Sequence, residues 1–401
     1  MTKCVVWGTR KSGQELAKQA RYIGKCEIVA FCSSTKSSQG IQIQGHPVIS
    51  PEALKHLYLA GKVDAILLGI KDSSAHHEEV RKIIQHTFPP DVPVILPDSI
   101  EKSYLAQVRN QLQYHWNIDF EKQASIWLEN FSSEVDFWVK EVASPDGKYH
   151  RNYIDRIKNQ DFLGLDPSPV AFTQNLKAGS IIMDIGCGLA PLYGPRLPSS
   201  EVIQMIAIDA LAPFYNKINQ KCAKGQVREC RFGMFEFIAD SFAENYCDGI
   251  LINNALDHSI DPYKSIIECL YVLKNGGKMR LHHHLSEAVN GNFDGLHKWN
   301  FDYNAKNEFT IWNLENAVNV SEELKQIADI EVVHSDDNVD RKDQFITVDI
   351  TKKGKFDLES FIDINQEQRQ LAFLAAGLMN WIAEHIDDYL GTLQNIQELK
   401  F

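Results

Sequence analysis

The chain has 401 residues, 44% of them hydrophobic, which is enough for two or three packed domains and argues against wholesale disorder. Its formal net charge is −12 with no run of lysine or arginine, so a nucleic-acid partner or an anionic membrane surface is disfavoured. No apolar run reaches 18 residues, none of the eight cysteines falls in a CxxC pair, and "MTKCVVWG" goes straight into a strand without a signal-peptide pattern, so we expect a soluble, reduced, cytoplasmic protein with no membrane insertion.

Residues 1–100 alternate strand-like and helix-like patterns. "KCVVWG", "CEIVAFCSS", "VDAILLGI" and "VPVILPD" are apolar strands, with helices over "SGQELAKQARYI", "SPEALKHLYLAG" and "SSAHHEEVRKIIQH". Ser50 is placed as an N-cap with Pro51 in the first helical position. This alternation implies a parallel sheet covered on both faces, a small Rossmann-like domain over 1–103. Residues 104–175 carry helical periodicity, many aromatics and recurrent Pro/Asp/Gly turns in "SPDGKYHRNY" and "GLDPSP"; we expect a helical linker and lid. The β/α alternation restarts at "SIIMDIG" and continues through "VIQMIAID", "VRECRF", "CDGILINN" and "KMRLHHHL". "IEVVHSD" and "DQFITVDITKK", joined by a short link, are expected to be antiparallel neighbours, closing a domain over 176–355. Residues 356–401 are helical, and "LAFLAAGLMNWIAEHI" is too apolar to stay wet, so it packs on this chain or on a second copy in a homo-oligomer. The fold class is α/β: two Rossmann-like parallel-sheet domains joined by a helical segment, the second with an antiparallel last strand.

The stretch "MDIGCGLAP" fails the dinucleotide fingerprint G-x-G-x-x-G, because its third glycine position falls on Pro191. It reads instead as acid-x-Gly-x-Gly, from Asp184 through Gly186 and Gly188, and the next strand ends in Asp209, whose carboxylate has two oxygens to offer a ribose diol. With "IAIDA", "YCDGILINNALDHSIDP" and "VLKNGGKMRL" following in order, residues of about 160–350 resemble the class I S-adenosylmethionine-dependent methyltransferases. The resemblance implies S-adenosylmethionine as cofactor, its methionine end passing Gly186 and Gly188 with Asp184 near the amino group. It places Asp209 at the ribose, Phe235 and Glu236 beside the adenine, and Asn253 in the fourth-strand motif. The family's third glycine is Ala190 here, which implies a tighter fit.

Ligands of open α/β sheets sit outside the carboxyl ends of the strands, which puts "NNALDHS", "HHHLSEA" and "GLHKWNF" on the acceptor side. Methyl transfer to a hydroxyl needs a base, and His258, His283, His284, Glu287 and His297 are the candidates. Strand alternation sends His282 and His284 to one face and His283 to the other. His297 and Trp299 are expected in a glycine-led loop forming part of a substrate wall. No ligand spacing of a known kind marks a metal, so none is expected.

In the first domain, Gly8 and Gly13 flank Arg10 and Lys11, and the second strand ends "CSS" with no acid for a ribose, which argues against NAD. "IVAFCSS" with "QGIQIQGHPVISPEAL" resembles the small Rossmann-like units found with bacterial surface-sugar biosynthesis enzymes; such units bind nucleotide sugars or act as scaffolds, and both readings stay open. Together these resemblances imply O-methylation of a sugar or sugar-nucleotide in polysaccharide or glycan assembly. The alternatives are C-methylation of a keto-sugar or other small molecule, and a non-catalytic assembly protein retaining a methyltransferase-like domain.

Overall fold

The computed structural model describes residues 1–70, 75–158, 172, 176–189, 194–197, 199–222, 227–291, 293–335, 344–363 and 366–384. Ala190, the "GLDPSP" turn and the end of the last expected helix lie outside the described residues. The chain divides into two compact units, Met1–Leu112 and Gln113–Phe401.

In the first unit, β1 (Thr2–Trp7), β2 (Cys26–Cys32), β3 (Gln42–Ile43), β4 (His46–Ile49), β5 (Ala65–Leu68) and β6 (Val94–Ile95) form one sheet in the order β3-β4-β2-β1-β5-β6. Its pairs are parallel except β3–β4, a hairpin turned by Gln44 and Gly45, both at positive φ. That hairpin is too short for its periodicity to register in the sequence. Ser50 caps the helix Pro51–Leu59, its hydroxyl accepting the Ala53 N–H at 3.2 Å. The Gly8/Gly13 spacing answers to close packing. A Cβ on Gly13 would lie 2.2 Å from the Gly8 carbonyl oxygen, and one on Gly8 2.6 Å from that of Gly69. The helix Pro97–Gln111 packs on the helix Lys11–Tyr22 and sends Ile100 into the core, which carries the unit to Leu112 rather than 103.

In the second unit, β7 (Ile181–Ile185), β8 (Gln204–Asp209), β9 (Arg231–Phe232), β10 (Cys247–Asn253), β11 (Leu273–His284), β15 (Ala328–His334) and β16 (Phe345–Lys352) form a sheet in the order β15-β16-β11-β10-β7-β8-β9. The strands are parallel from β11 to β9, and β16 runs antiparallel to both its neighbours, the reversed strand expected. The strand order turns between β7 and β10, where such sheets hold ligands at their carboxyl ends. Asp248 fastens the opposite end: its Oδ2 accepts the Ile181 N–H at 2.8 Å and its Oδ1 meets Lys274 Nζ at 2.8 Å.

A second, antiparallel sheet of β12 (Asn300–Tyr303), β13 (Phe309–Trp312) and β14 (Ala317–Asn319) was not evident in the sequence. Phe301, Phe309, Ile311 and Val318 join the core of the large sheet, so strand pairing continues where the glycine-led segment suggested only loop. Trp299 is a correction. Its ring is fully buried 5.1 Å from that of Trp116, and its Nε1 donates to the Ser259 carbonyl at 3.0 Å, so it is core and forms no substrate wall.

The helices Phe120–Phe137 and His150–Lys158, with a π-helical turn Trp138–Ala143 between them, build a second cluster with Phe214, Tyr215 and Ile218 of the helix Ala212–Cys222. The helix Gln366–Glu384 adds Ala375 and Met379 to that cluster while Leu374, Leu378 and Trp381 remain exposed. Among the described residues no helix is long and apolar enough to cross a membrane.

Candidate active site

A cavity of about 780 Å³ opens at the carboxyl ends of β7, β8, β10 and β11, within the range of small-molecule sites. Asp184, Gly186, Gly188, Asp209, Phe235, Glu236, Asn253, His258, His284, Glu287 and His297 all line it, whereas His283 and Trp299 do not. The helical segment contributes Glu134, Phe137, Trp138, Tyr149 and Tyr153 to the opposite wall.

One end is backbone-rich. Gly186 and Gly188 have φ of 74° and 67°, the left-handed region that favours glycine. A Cβ on Gly186 would meet Ala255 Cβ at 2.3 Å, and one on Gly188 the Trp138 ring at 2.8 Å. Gly186→Ala is therefore expected to lose about 1–2 kcal/mol from the backbone conformation and about 1–3 kcal/mol from overpacking. Urea unfolding measures the sum; a variant as stable as the parent would refute the close approach.

Asp209 Oδ1 accepts the Leu211 N–H at 2.8 Å and Oδ2 the Gly188 N–H at 3.0 Å. Each oxygen keeps a lone pair for a further donor, as a ribose diol requires. Burial lifts this carboxyl to about 6, against the two N–H bonds that hold it down. A diol that binds the ionised form should therefore weaken as pH falls through 6, by at most about tenfold per unit. Calorimetric titration with S-adenosylhomocysteine between pH 5 and 8 tests this; an affinity flat across that window would contradict it.

Glu236 lines the cavity beside Phe235 with one oxygen engaged by the backbone. It is 1% exposed, and its Oε1 accepts the N–H groups of Ile260 (2.5 Å) and Asp261 (3.1 Å), so that oxygen braces the turn after β10. Phe235 lies beside Gly186. Asn253 ends β10, and the next residue, Asn254, ties the two strand ends together. Its N–H donates to the His282 carbonyl at 2.8 Å, and its Oδ1 accepts the His284 N–H at 3.2 Å.

The other end gathers ionisable groups around Asp257, which the sequence reading left unnamed although it sits in "NNALDHS". Asp257 is fully buried. Its Oδ2 lies 2.6 Å from His297 Nδ1 and 3.5 Å from His258 Nε2, and those two nitrogens are 3.2 Å apart. Glu287 Oε1 stands 3.7 Å from His297 Nδ1. Burial opposes the charge on Asp257, but His258, the hydrogen bond from His297 and the neighbouring rings outweigh it and hold the carboxyl well below the usual range. Burial likewise opposes the charge on His297, yet the bond to Asp257 and the charges of Asp257, Glu287 and Glu134 carry it up to about 9. Burial and the Asp257 charge push Glu287 up. His283 sits behind this group. It is 1% exposed, its ring tilted against that of Phe301 at 4.4 Å, with Nδ1 3.9 Å from Asp257 Oδ1, and burial pushes it down to about 3. As a base facing an acceptor it is misplaced, because the strand turns its ring into the protein.

Residues 183–281 match the family model described as a methyltransferase domain. The second unit carries a methyltransferase domain. The match runs from β7 to within β11 and so takes in the glycine pair, Asp209 and Asp257–His258, while Glu287 and His297 lie beyond it. No curated protein matches the chain. Among solved structures, the chain is similar to 1,6-didemethyltoxoflavin-N1-methyltransferase of Burkholderia thailandensis, at 13% identity and a TM-score of 0.32, over 61% of this chain and 94% of that one. The YcgJ protein of Bacillus subtilis is similar at 17% identity and a TM-score of 0.30, over 46% and 96%. UDP-D-quinovosamine 4-dehydrogenase of Vibrio fischeri is similar at 20% identity and a TM-score of 0.20, over 24% and 76%.

Proposed function

We propose that the protein is an S-adenosylmethionine-dependent methyltransferase acting on a hydroxyl of a sugar or sugar-nucleotide in polysaccharide or glycan assembly. The observation that carries this reading is the pairing, in one cavity, of the Gly186/Gly188/Asp209 cradle with the Asp257–His258–His297 cluster. The residues fit the cofactor: Asp209 has an acceptor left on each oxygen, and the glycines leave the backbone bare where a Cβ would collide.

When bound, S-adenosylmethionine supplies a methyl group on a cationic sulfur: an acceptor oxygen forms the new C–O bond as the C–S bond breaks and the electron pair stays on sulfur. The chain's own part is to orient the acceptor and take its proton. Asp257 fixes the His297 ring through Nδ1; with its pKa lifted to about 9 that ring already carries a proton near neutrality and orients the acceptor, and the Glu287 carboxylate beside it takes the acceptor's proton. The wall at this end is polar, with Asn253, His284, Glu287 and Asp294, which suits a polyhydroxylated acceptor. The test is transfer of label from methyl-labelled S-adenosylmethionine to a panel of sugars and nucleotide sugars, with mass spectrometry of the product. Transfer to catechols or amines and to no sugar would refute the acceptor class.

The exposed Leu374, Leu378 and Trp381 on one helix support self-association as a further part of this reading. Light scattering should find a larger particle for the parent than for Trp381→Asp; a monomeric parent would exclude it.

A further inference from the structure

The atoms around Asp257 pose a problem of proton count. Asp257 Oδ2, His258 Nε2 and His297 Nδ1 face one another at 2.6, 3.2 and 3.5 Å. If Nδ1 of His297 donates to Asp257, it has no lone pair left for His258; if it accepts from His258, it cannot donate to Asp257. One small volume thus holds three converging donor atoms that a single pattern of hydrogens serves poorly. Around it, Asp257 Oδ1, both ring nitrogens of His283 and Glu287 Oε2 are buried without a hydrogen-bond partner. Buried polar atoms left so are costly, at about 1–3 kcal/mol each.

A divalent ion resolves this arrangement. Carboxylate oxygens and imidazole nitrogens bind zinc and its neighbours at about 2.0–2.2 Å, so three ligands on one face of an ion lie roughly 3–3.5 Å apart. The three atoms stand at that separation, save the Asp257–His297 pair, which a bound ion would open slightly. We propose that Asp257, His258 and His297 form a site for a divalent first-row transition ion whose open positions take two neighbouring oxygens of the acceptor. Two imidazoles and one carboxylate favour zinc, cobalt, nickel or iron(II) over magnesium and calcium, which prefer oxygen throughout. The ligands come from two places, the turn after β10 and the loop before β12, and so present no sequence spacing. His258 and His297 also line the cavity, so the ion's free side faces the ligand space. His283 and Glu287 form the surrounding layer, of the kind that orients ligands in metal sites.

The acceptor's role rests on the methyltransferase reading; the metal site itself does not. Coordination would acidify one hydroxyl of a neighbouring pair. Its proton would leave to the Glu287 carboxylate, the oxygen would form its bond to the methyl carbon, and the C–S pair would stay on sulfur.

The full chain, stripped with a chelator and dialysed, is titrated calorimetrically with zinc and spectroscopically with cobalt(II), and S-adenosylhomocysteine affinity is measured on the same samples. We expect one equivalent of zinc bound more tightly than about 1 µM and a visible cobalt band that zinc abolishes. His258→Gln and His297→Gln should each weaken binding at least about 100-fold, more than loss of an outer partner would, while His86→Ala, in the first unit, leaves it unchanged. The cobalt band of the parent reports nitrogen ligation even where a variant fails to fold. Absence of a bound equivalent, or binding equally tight in both glutamine variants, overturns the site. If that occurs with S-adenosylhomocysteine bound normally, the methyltransferase reading stands without a metal. If metal binds as expected and S-adenosylhomocysteine does not, the site stands and the reading of the cavity falls.

Discussion

His297→Ala is expected to lower turnover by about 10²-fold, the scale for losing a group that holds the acceptor in its reactive position. His297 is the ring that Asp257 holds by its shortest contact, and it lines the cavity next to Glu287. Removing it leaves Asp257 buried without its main hydrogen bond and takes away the group that reaches the acceptor. Binding of S-adenosylhomocysteine should change little, because the Asp209 end of the cavity rests on β7 and β8. Steady-state kcat and calorimetry on the same preparation separate the two effects. Full turnover in His297→Ala would assign the cluster a structural role. Loss of cofactor affinity along with turnover would mean that the variant disturbs the whole cavity.

Asp209→Ala should weaken S-adenosylhomocysteine by at least tenfold. Hydrogen bonds to a charged group contribute about 1.5–3 kcal/mol, and the ribose would lose its charged acceptor. The same change also releases the N–H groups of Gly188 and Leu211, so the glycine turn loses a brace. NADH should bind neither form. Calorimetry gives both results, and equal affinity in parent and variant would remove Asp209 from the site.

The glycine pair and Asp209 were legible in the sequence because their signals are local. An acid two residues before a glycine, a second glycine, and a carboxylate closing the next strand each follow from the turn they occupy, and all of them line one cavity. The reversed strand was legible from the short link between two strand-like runs. The acceptor end was only partly so. His258, Glu287 and His297 were singled out from their place after the strands, but Asp257, which organises them, looks like any turn acid until the fold brings position 297 back beside it. Alternation put His283 on its own face but not that this face is buried behind Asp257, which depends on β12 and Phe301 covering it. β12, β13 and β14 escaped because they are only three or four residues long: they pair with one another, but their apolar residues are buried by packing on the core of the large sheet, a distant part of the chain. For Glu236 the resemblance gave no sign of a bracing role, in which its Oε1 accepts the backbone N–H groups of Ile260 and Asp261.

The most direct test of the central claim is a crystal structure of the full chain with S-adenosylhomocysteine. The ribose hydroxyls should lie within hydrogen-bond distance of both Asp209 oxygens, with the sulfur pointing toward the Asp257–His258–His297 cluster. A cofactor product bound away from Asp209, or absent from this cavity at saturating concentration, would contradict the account.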